Sequence, residues 1–129
     1  MAHVTVRLHF LRQATRKVRL VTDLIRGRAA DLAINQLAFL PKRAALPVAK
    51  LLKSGVAAAK ERGLGDDLWI SQVLTDQGPA LKRRLINSRG RSSQLKKFTT
   101  HIVLTLSDVK QKTRNPKHQI RNKSKSLIK

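Results

Sequence analysis

The feature that most constrains this chain is positive charge without counter-charge. Its 129 residues carry 28 Lys and Arg against 7 Asp and Glu, a formal net charge of +21. The imbalance is uneven. Residues 1–76 hold 13 basic and 6 acidic residues; residues 77–108 hold 7 basic residues and only Asp108. Residues 109–129 hold 8 basic residues and no acid. The first block can fold as a domain with a basic face. The other two repel themselves and call for a polyanionic partner.

Nucleic acid fits that partner better than a membrane. No stretch approaches the roughly 20 apolar residues needed to span a bilayer. The most apolar region, Ala44 to Ala59, is broken by Pro47, Lys50, Lys53 and Gly55. The start of the chain lacks the basic start, apolar run and small-residue cleavage site of a signal peptide. The chain contains no cysteine, which removes disulfides, thiolate nucleophiles and most structural zinc sites and suits a reducing compartment.

Periodicity predicts the elements of the first block. His3 to Phe10 alternates, with Val4, Val6, Leu8 and Phe10 on one side, as a half-buried strand does. Gln13 to Arg26 has helical period: Ala14, Val18, Val21 and Ile25 form one stripe, and Arg12, Arg16, Arg19 and Arg26 gather opposite, with Lys17 on a flank. Gly27 stands where a C-terminal glycine cap belongs. Asp31 to Phe39 reads as a second short helix. Pro41 is expected to open a third, which runs to about Arg62. Pro47 is awkward inside it, since an interior proline costs about 3 kcal/mol, so a kink or a late start is expected. Leu68 to Thr75 and His101 to Leu106 read as strands.

Between those strands, residues 77–100 have too few apolar side chains for a core. The simplest geometry is a long hairpin that continues the two flanking strands and turns near Arg89-Gly90-Arg91. Each arm of about a dozen residues would reach about 40 Å. An isolated hairpin is marginal in water, so a long basic one needs an anionic surround. Residues 109–129 have little apolar content and are expected to be a basic tail, disordered unless bound to RNA.

The parts of an enzyme are missing. Glu61 is the sole glutamate, and the adjacent Asp66 and Asp67 read as a turn. His3 and His9 would lie about 20 Å apart on a strand, too far to share a metal. Gly63-Leu64-Gly65 lacks the third glycine and preceding strand of a dinucleotide loop. No catalytic residue, metal or cofactor is expected. Of the aromatics, Phe10, Phe39 and Trp69 sit in apolar patterns and are expected in the core, and only Phe98 lies in a basic stretch. Recognition should therefore be of backbone and shape in folded RNA. The candidate contacts are Arg12, Arg16, Lys17, Arg19 and Arg26 in the first helix, and Lys82, Arg83, Arg84, Arg89, Arg91, Lys96 and Lys97 in the hairpin. The tail adds Lys110, Lys112, Arg114, Lys117 and Arg121. A free-standing RNA chaperone or nucleoid protein has the same composition.

Four motifs in order separate those readings. Lys17-Val-Arg-Leu-Val-Thr-Asp-Leu-Ile-Arg-Gly27 resembles the first-helix signature of the large-subunit ribosomal protein family L twenty-two. Asp76-Gln-Gly-Pro-Ala-Leu-Lys-Arg83 resembles that family's entry into its hairpin, Ser88-Arg-Gly-Arg91 its tip, and Thr99-Thr-His-Ile102 its return strand. The resemblance spans about residues 12–108 and implies an α+β fold: three helices on a small antiparallel three-stranded sheet, a long β-hairpin and a basic tail. It implies one globular RNA-binding domain over residues 1–108. It implies a cytoplasmic protein of the bacterial-type ribosome with no enzymatic role and no homo-oligomer. The expected partners are 23S ribosomal RNA, neighbouring large-subunit proteins and, at the tip Ser88, Arg89, Gly90, Arg91 and Ser92, the nascent peptide in its exit tunnel. His101 joins the RNA-binding set through the same resemblance. The chain departs from the pattern at Ala14-Thr15, where the family usually has Ser-Pro, at Pro47 and Gly55 in the third helix, at Ile86-Asn87-Ser88 near the tip, and at Phe98, where the family usually has Arg.

Overall fold

The alternating residues at the start form β1 (His3–Leu11). Three helices follow, α1 (Thr15–Ile25), α2 (Ala30–Phe39) and α3 (Ala45–Glu61). Four more strands follow: β2 (Trp69–Gln77), β3 (Leu81–Ile86), β4 (Ser92–Lys97) and β5 (Thr100–Ser107). The structure, a computed structural model, describes residues 2–109. Lys110, Lys112, Arg114, Lys117 and Arg121 lie outside the described residues. Among the described residues, β1, β5 and β2 make one antiparallel sheet in that order, and β3 and β4 pair separately. The α+β class that the sequence predicts is the observed one.

Strand β5 is central, so both its edges are paired and its alternation decides the core. Ile102, Leu104 and Leu106 are fully buried on the helical face. Helix α1 lies against β2, and α3 lies across β1 and β5. The predicted stripe of α1 is the buried one: Val18, Val21 and Ile25 join Val48 and Leu52 of α3 and Ile70 and Val73 of β2.

Two of the unusual residues of α3 have plain physical reasons. The helix begins at Ala45, not at Pro41. Pro47 therefore falls in the first turn, where its missing N–H has no helical acceptor to lose. The late start is thus the outcome. Gly55 is buried against the sheet, and a Cβ there would stand 3.0 Å from Leu106 Cδ1 and 3.1 Å from Val6 Cγ2. Its absent side chain is what lets the helix lie this close to β1 and β5.

Helix α1 starts at Thr15 after Ala14, which supplies no side-chain cap. A pair of hydroxyls ties that end to β5 instead. Thr100 Oγ1 donates to the Gln13 carbonyl at 2.7 Å and lies 3.3 Å from Thr15 Oγ1. At the other end Gly27 has φ +71°, as a left-handed terminal glycine should.

Two aromatic expectations are overturned. Phe10 is 61% exposed and Phe39 is 88% exposed. Phe39 stands two residues beyond the buried Leu37, which carries it about 200° around the helix. Phe10 sits in a bulge. Leu8 pairs with Ile102 but Leu11 pairs with Thr100, so β1 spends three residues where β5 spends two. The extra residue reverses the alternation, turning Phe10 outward and Leu11 back toward the core. Trp69 is partly buried.

The hairpin also differs from the expected continuous ladder. The main sheet ends at Gln77 and Thr100, and six residues of each arm pair again from Leu81 with Lys97 to Ile86 with Ser92. Every residue of β3 and β4 is exposed. At the tip, Arg89 (φ +57°) and Gly90 (φ +68°) both adopt left-handed backbone, and the Asn87 amide closes the turn on the Arg91 carbonyl at 2.8 Å.

Candidate nucleic-acid interface

The basic face of α1 divides into two groups. Arg16 and Lys17 are exposed and make no contact with a carboxylate among the described residues. Arg19 and Arg26 are spoken for by the scaffold. The Arg19 guanidinium donates to the Thr75 carbonyl at 3.2 Å, and Arg26 donates to the Val73 carbonyl at 3.1 Å. Arg26 also pairs with Asp23 at 3.1 Å. These bonds cover the outer edge of β2, whose carbonyls would otherwise invite another strand. The start of that edge is covered by the segment between α1 and α2: Gly27 donates to Ile70, Ile70 to Arg28, and Ala30 to Leu68, at 2.8–3.1 Å. Arg19 and Arg26 thus serve the β2 edge, and Arg16 and Lys17 stay exposed.

The fold gathers the remaining cations from distant parts of the chain. A cleft of about 670 Å³ opens between the start of α1 and the base of the hairpin. Arg12 and Lys17 line it from one side, Lys96 and Lys97 of β4 from another, and Arg43 from the segment before α3. Among the described residues, no carboxylate lines it. Phe98 forms part of its wall, so this aromatic is set among cations. Five cations around one cleft create a strong local positive potential suited to phosphate oxygens. Arg43 was not among the predicted contacts. The Lys42-Arg43 pair is visible in the sequence, but no spacing says that it meets the hairpin base.

A second groove, of about 310 Å³, crosses the hairpin and is lined by Lys82, Arg83, Arg84, Ser92, Ser93 and Gln94. Serine hydroxyls and guanidinium groups together are ordinary donors to a sugar-phosphate backbone. Arg89 and Arg91 stand apart from both grooves, at the exposed tip with Ser88, Gly90 and Ser92.

His101 is placed differently from the other predicted contacts. Its Nδ1 accepts the Phe10 amide at 3.1 Å, which assigns the ring proton to Nε2 in the neutral form. His101, His9 and Phe10 form one aromatic group at the β1 bulge. Periodicity alone hides that group, because it places Phe10 on the core side.

Among the described residues, no group of three or more His, Asp or Glu side chains could hold a metal ion. No described helix is long and apolar enough to cross a membrane.

Comparison with known proteins gives this architecture a family. The profile of the family described as ribosomal protein L22p/L17e matches residues 6–107. A large ribosomal subunit protein uL22 of Pelobacter propionicus is 44% identical over 108 residues, covering 82% of this chain and 97% of that protein. The uL22 of Myxococcus xanthus is 39% identical over 110 residues, with 82% and 96% covered. That of Geobacter sulfurreducens is 40% identical over 106 residues, with 81% and 96% covered. The matched region contains both grooves, the hairpin and the β1 bulge. The chain belongs to the L22p/L17e family of ribosomal proteins, a structural and non-enzymatic family.

Proposed function

We propose that this protein is a structural constituent of the large ribosomal subunit that binds 23S ribosomal RNA, supports subunit assembly and lines the nascent-peptide exit tunnel with its β3–β4 hairpin. The observation that carries this reading is the hairpin itself. Both strands are exposed throughout, and Lys82, Arg83, Arg84, Lys96 and Lys97 form no ion pair among the described residues. A bare two-stranded ribbon of that charge gains stability only when an anionic surface packs around it. The cleft at its base supplies a second anchor for the same RNA.

The partners are 23S ribosomal RNA, neighbouring large-subunit proteins and, at Ser88–Ser92, the passing nascent peptide. The place of work is the ribosome in the cytoplasm. The role requires backbone contacts and shape, not catalysis.

Two measurements test it together. The protein should remain with large subunits through a high-salt wash. A photoreactive residue at position 90 should crosslink to tunnel-wall RNA or to the nascent chain. Release by the wash, with general RNA binding retained, would favour a free-standing RNA chaperone. Crosslinks to an outer-surface protein alone would refute the tunnel placement.

A further inference from the structure

We propose that Phe10, flanked by His9 and His101, is a stacking platform for one unpaired base of the bound RNA, set beside the cleft that grips the backbone. The inference rests on the reading that this chain binds structured RNA, and it adds base contact to what would otherwise be phosphate contact alone.

Three observations converge on Phe10. First, it is a large apolar ring, 61% exposed, at a position where plain strand alternation would have buried it. The bulge between Leu8 and Leu11 turns it outward. Second, its backbone has φ +55°, a left-handed conformation that a bulky side chain rarely adopts. Such strain persists where the surroundings over-determine it, and it clusters at ligand clamps. Third, the clamp is visible. The Phe10 amide donates to His101 Nδ1 at 3.1 Å, and the two rings meet edge to face at 4.8 Å and 82°. His9 packs against the same imidazole at 5.3 Å. His101 is in turn fixed by its place in β5, opposite Asp76, with its ring close over Gly78.

The edge-to-face contact sets the angle of the Phe10 ring while most of its surface stays open. A preset aromatic surface is what an unstacked base needs, and it reads any base because every base has a π-face. Two residues along the chain, Arg12 lines the basic cleft. The backbone of the same nucleotide segment can therefore be held while its base leaves the RNA stack. Bases inside an RNA helix are already stacked and their edges are hidden, so the ligand is a base in a loop or bulge.

The test uses the full chain and full-length 23S ribosomal RNA over a series of salt concentrations. Phe10→Leu keeps the Cβ, an apolar side chain and the backbone strain but removes the π-face. It should weaken binding roughly 5- to 100-fold at every salt concentration with the salt slope unchanged. Phe10→Trp should restore the affinity. Arg12→Ala should instead lower the slope by about one. A photoreactive aromatic at position 10, in assembled subunits, should crosslink to an unpaired nucleotide. Wild-type affinity for Phe10→Leu, or crosslinks to protein or paired nucleotides alone, would overturn the platform while leaving salt-dependent RNA binding intact. Absence of salt-dependent binding in the wild-type chain would overturn the RNA reading as well.

Discussion

Gly78 donates its amide to the Thr99 carbonyl at 2.9 Å, and the two residues stand so close that a Cβ on Gly78 would lie 2.5 Å from the Thr99 hydroxyl. That hydroxyl already donates to the Pro79 carbonyl at 2.6 Å, and His101 Nε2 would lie 2.8 Å from the same Cβ. The base of the hairpin therefore closes only around a residue with no side chain. Gly78→Ala should destabilise the fold by about 1–3 kcal/mol, through displacement of the Thr99 hydroxyl or the His101 ring. Thermal unfolding and amide exchange at Thr100 and His101 measure it. An unchanged melting temperature with unchanged protection would show that the site has slack.

The two groups of α1 cations should separate by experiment. Arg16→Ala removes a free cation and should lower the salt slope of RNA binding by about one, with no change in melting temperature. Arg19→Ala removes the bond to Thr75 on the β2 edge and should also cost about 1 kcal/mol of stability. Arg26→Ala should resemble Arg19→Ala in stability, since it frees the Val73 carbonyl. Equal stability of all three variants would mean that solvent serves the β2 edge as well as the guanidinium groups do.

Helix α3 makes a sharper packing test. A Cβ at Gly55 would already stand inside ordinary van der Waals distance of Leu106 and Val6, at 3.0 and 3.1 Å. Gly55→Val should push the helix off the sheet and cost about 1–3 kcal/mol despite replacing a poor helix former. Circular dichroism during thermal melting reports the loss. Stabilisation instead would show that Leu106 and Val6 can rotate away without penalty.

At the far end of the hairpin, the tip residues Ser88 to Ser92 are all exposed, and the three-stranded sheet ends at Gln77 and Thr100, well short of them. Deleting Ser88 to Ser92 should leave the melting temperature of the three-stranded domain within a few degrees of wild type. It should still alter tunnel behaviour, read as a changed response to macrolide antibiotics or changed stalling on arrest peptides. Unaltered behaviour in subunits shown to contain the shortened protein would count against the tunnel role.

Much of this protein is legible in its sequence because its signals are local. Helical period along Val18, Val21 and Ile25 marks the buried face of α1, and alternation along Ile102, Leu104 and Leu106 marks the central strand. Charge without counter-charge over residues 77–100 implies an arm that cannot bury itself. Each follows from repeat geometry or from the cost of desolvating charge, and none of the three needs a partner elsewhere in the chain.

Other features depend on which distant residues meet, and only the tertiary structure decides them. One extra residue in β1 reverses the alternation at Phe10, because the register with β5 is set by pairing across some ninety positions of sequence. Pro47 looks like a flaw in a long helix until the start at Ala45 puts it in the first turn. Gly55 looks equally weak until the approach of Leu106 and Val6 explains it. Arg12, Lys17, Arg43, Lys96 and Lys97 are separate marks in the sequence, and a cleft only when α1, the segment before α3 and β4 converge. A sequence records which side chains carry charge or apolar surface. Their separation in space is set by packing, and electrostatic potential and steric fit both depend on that separation.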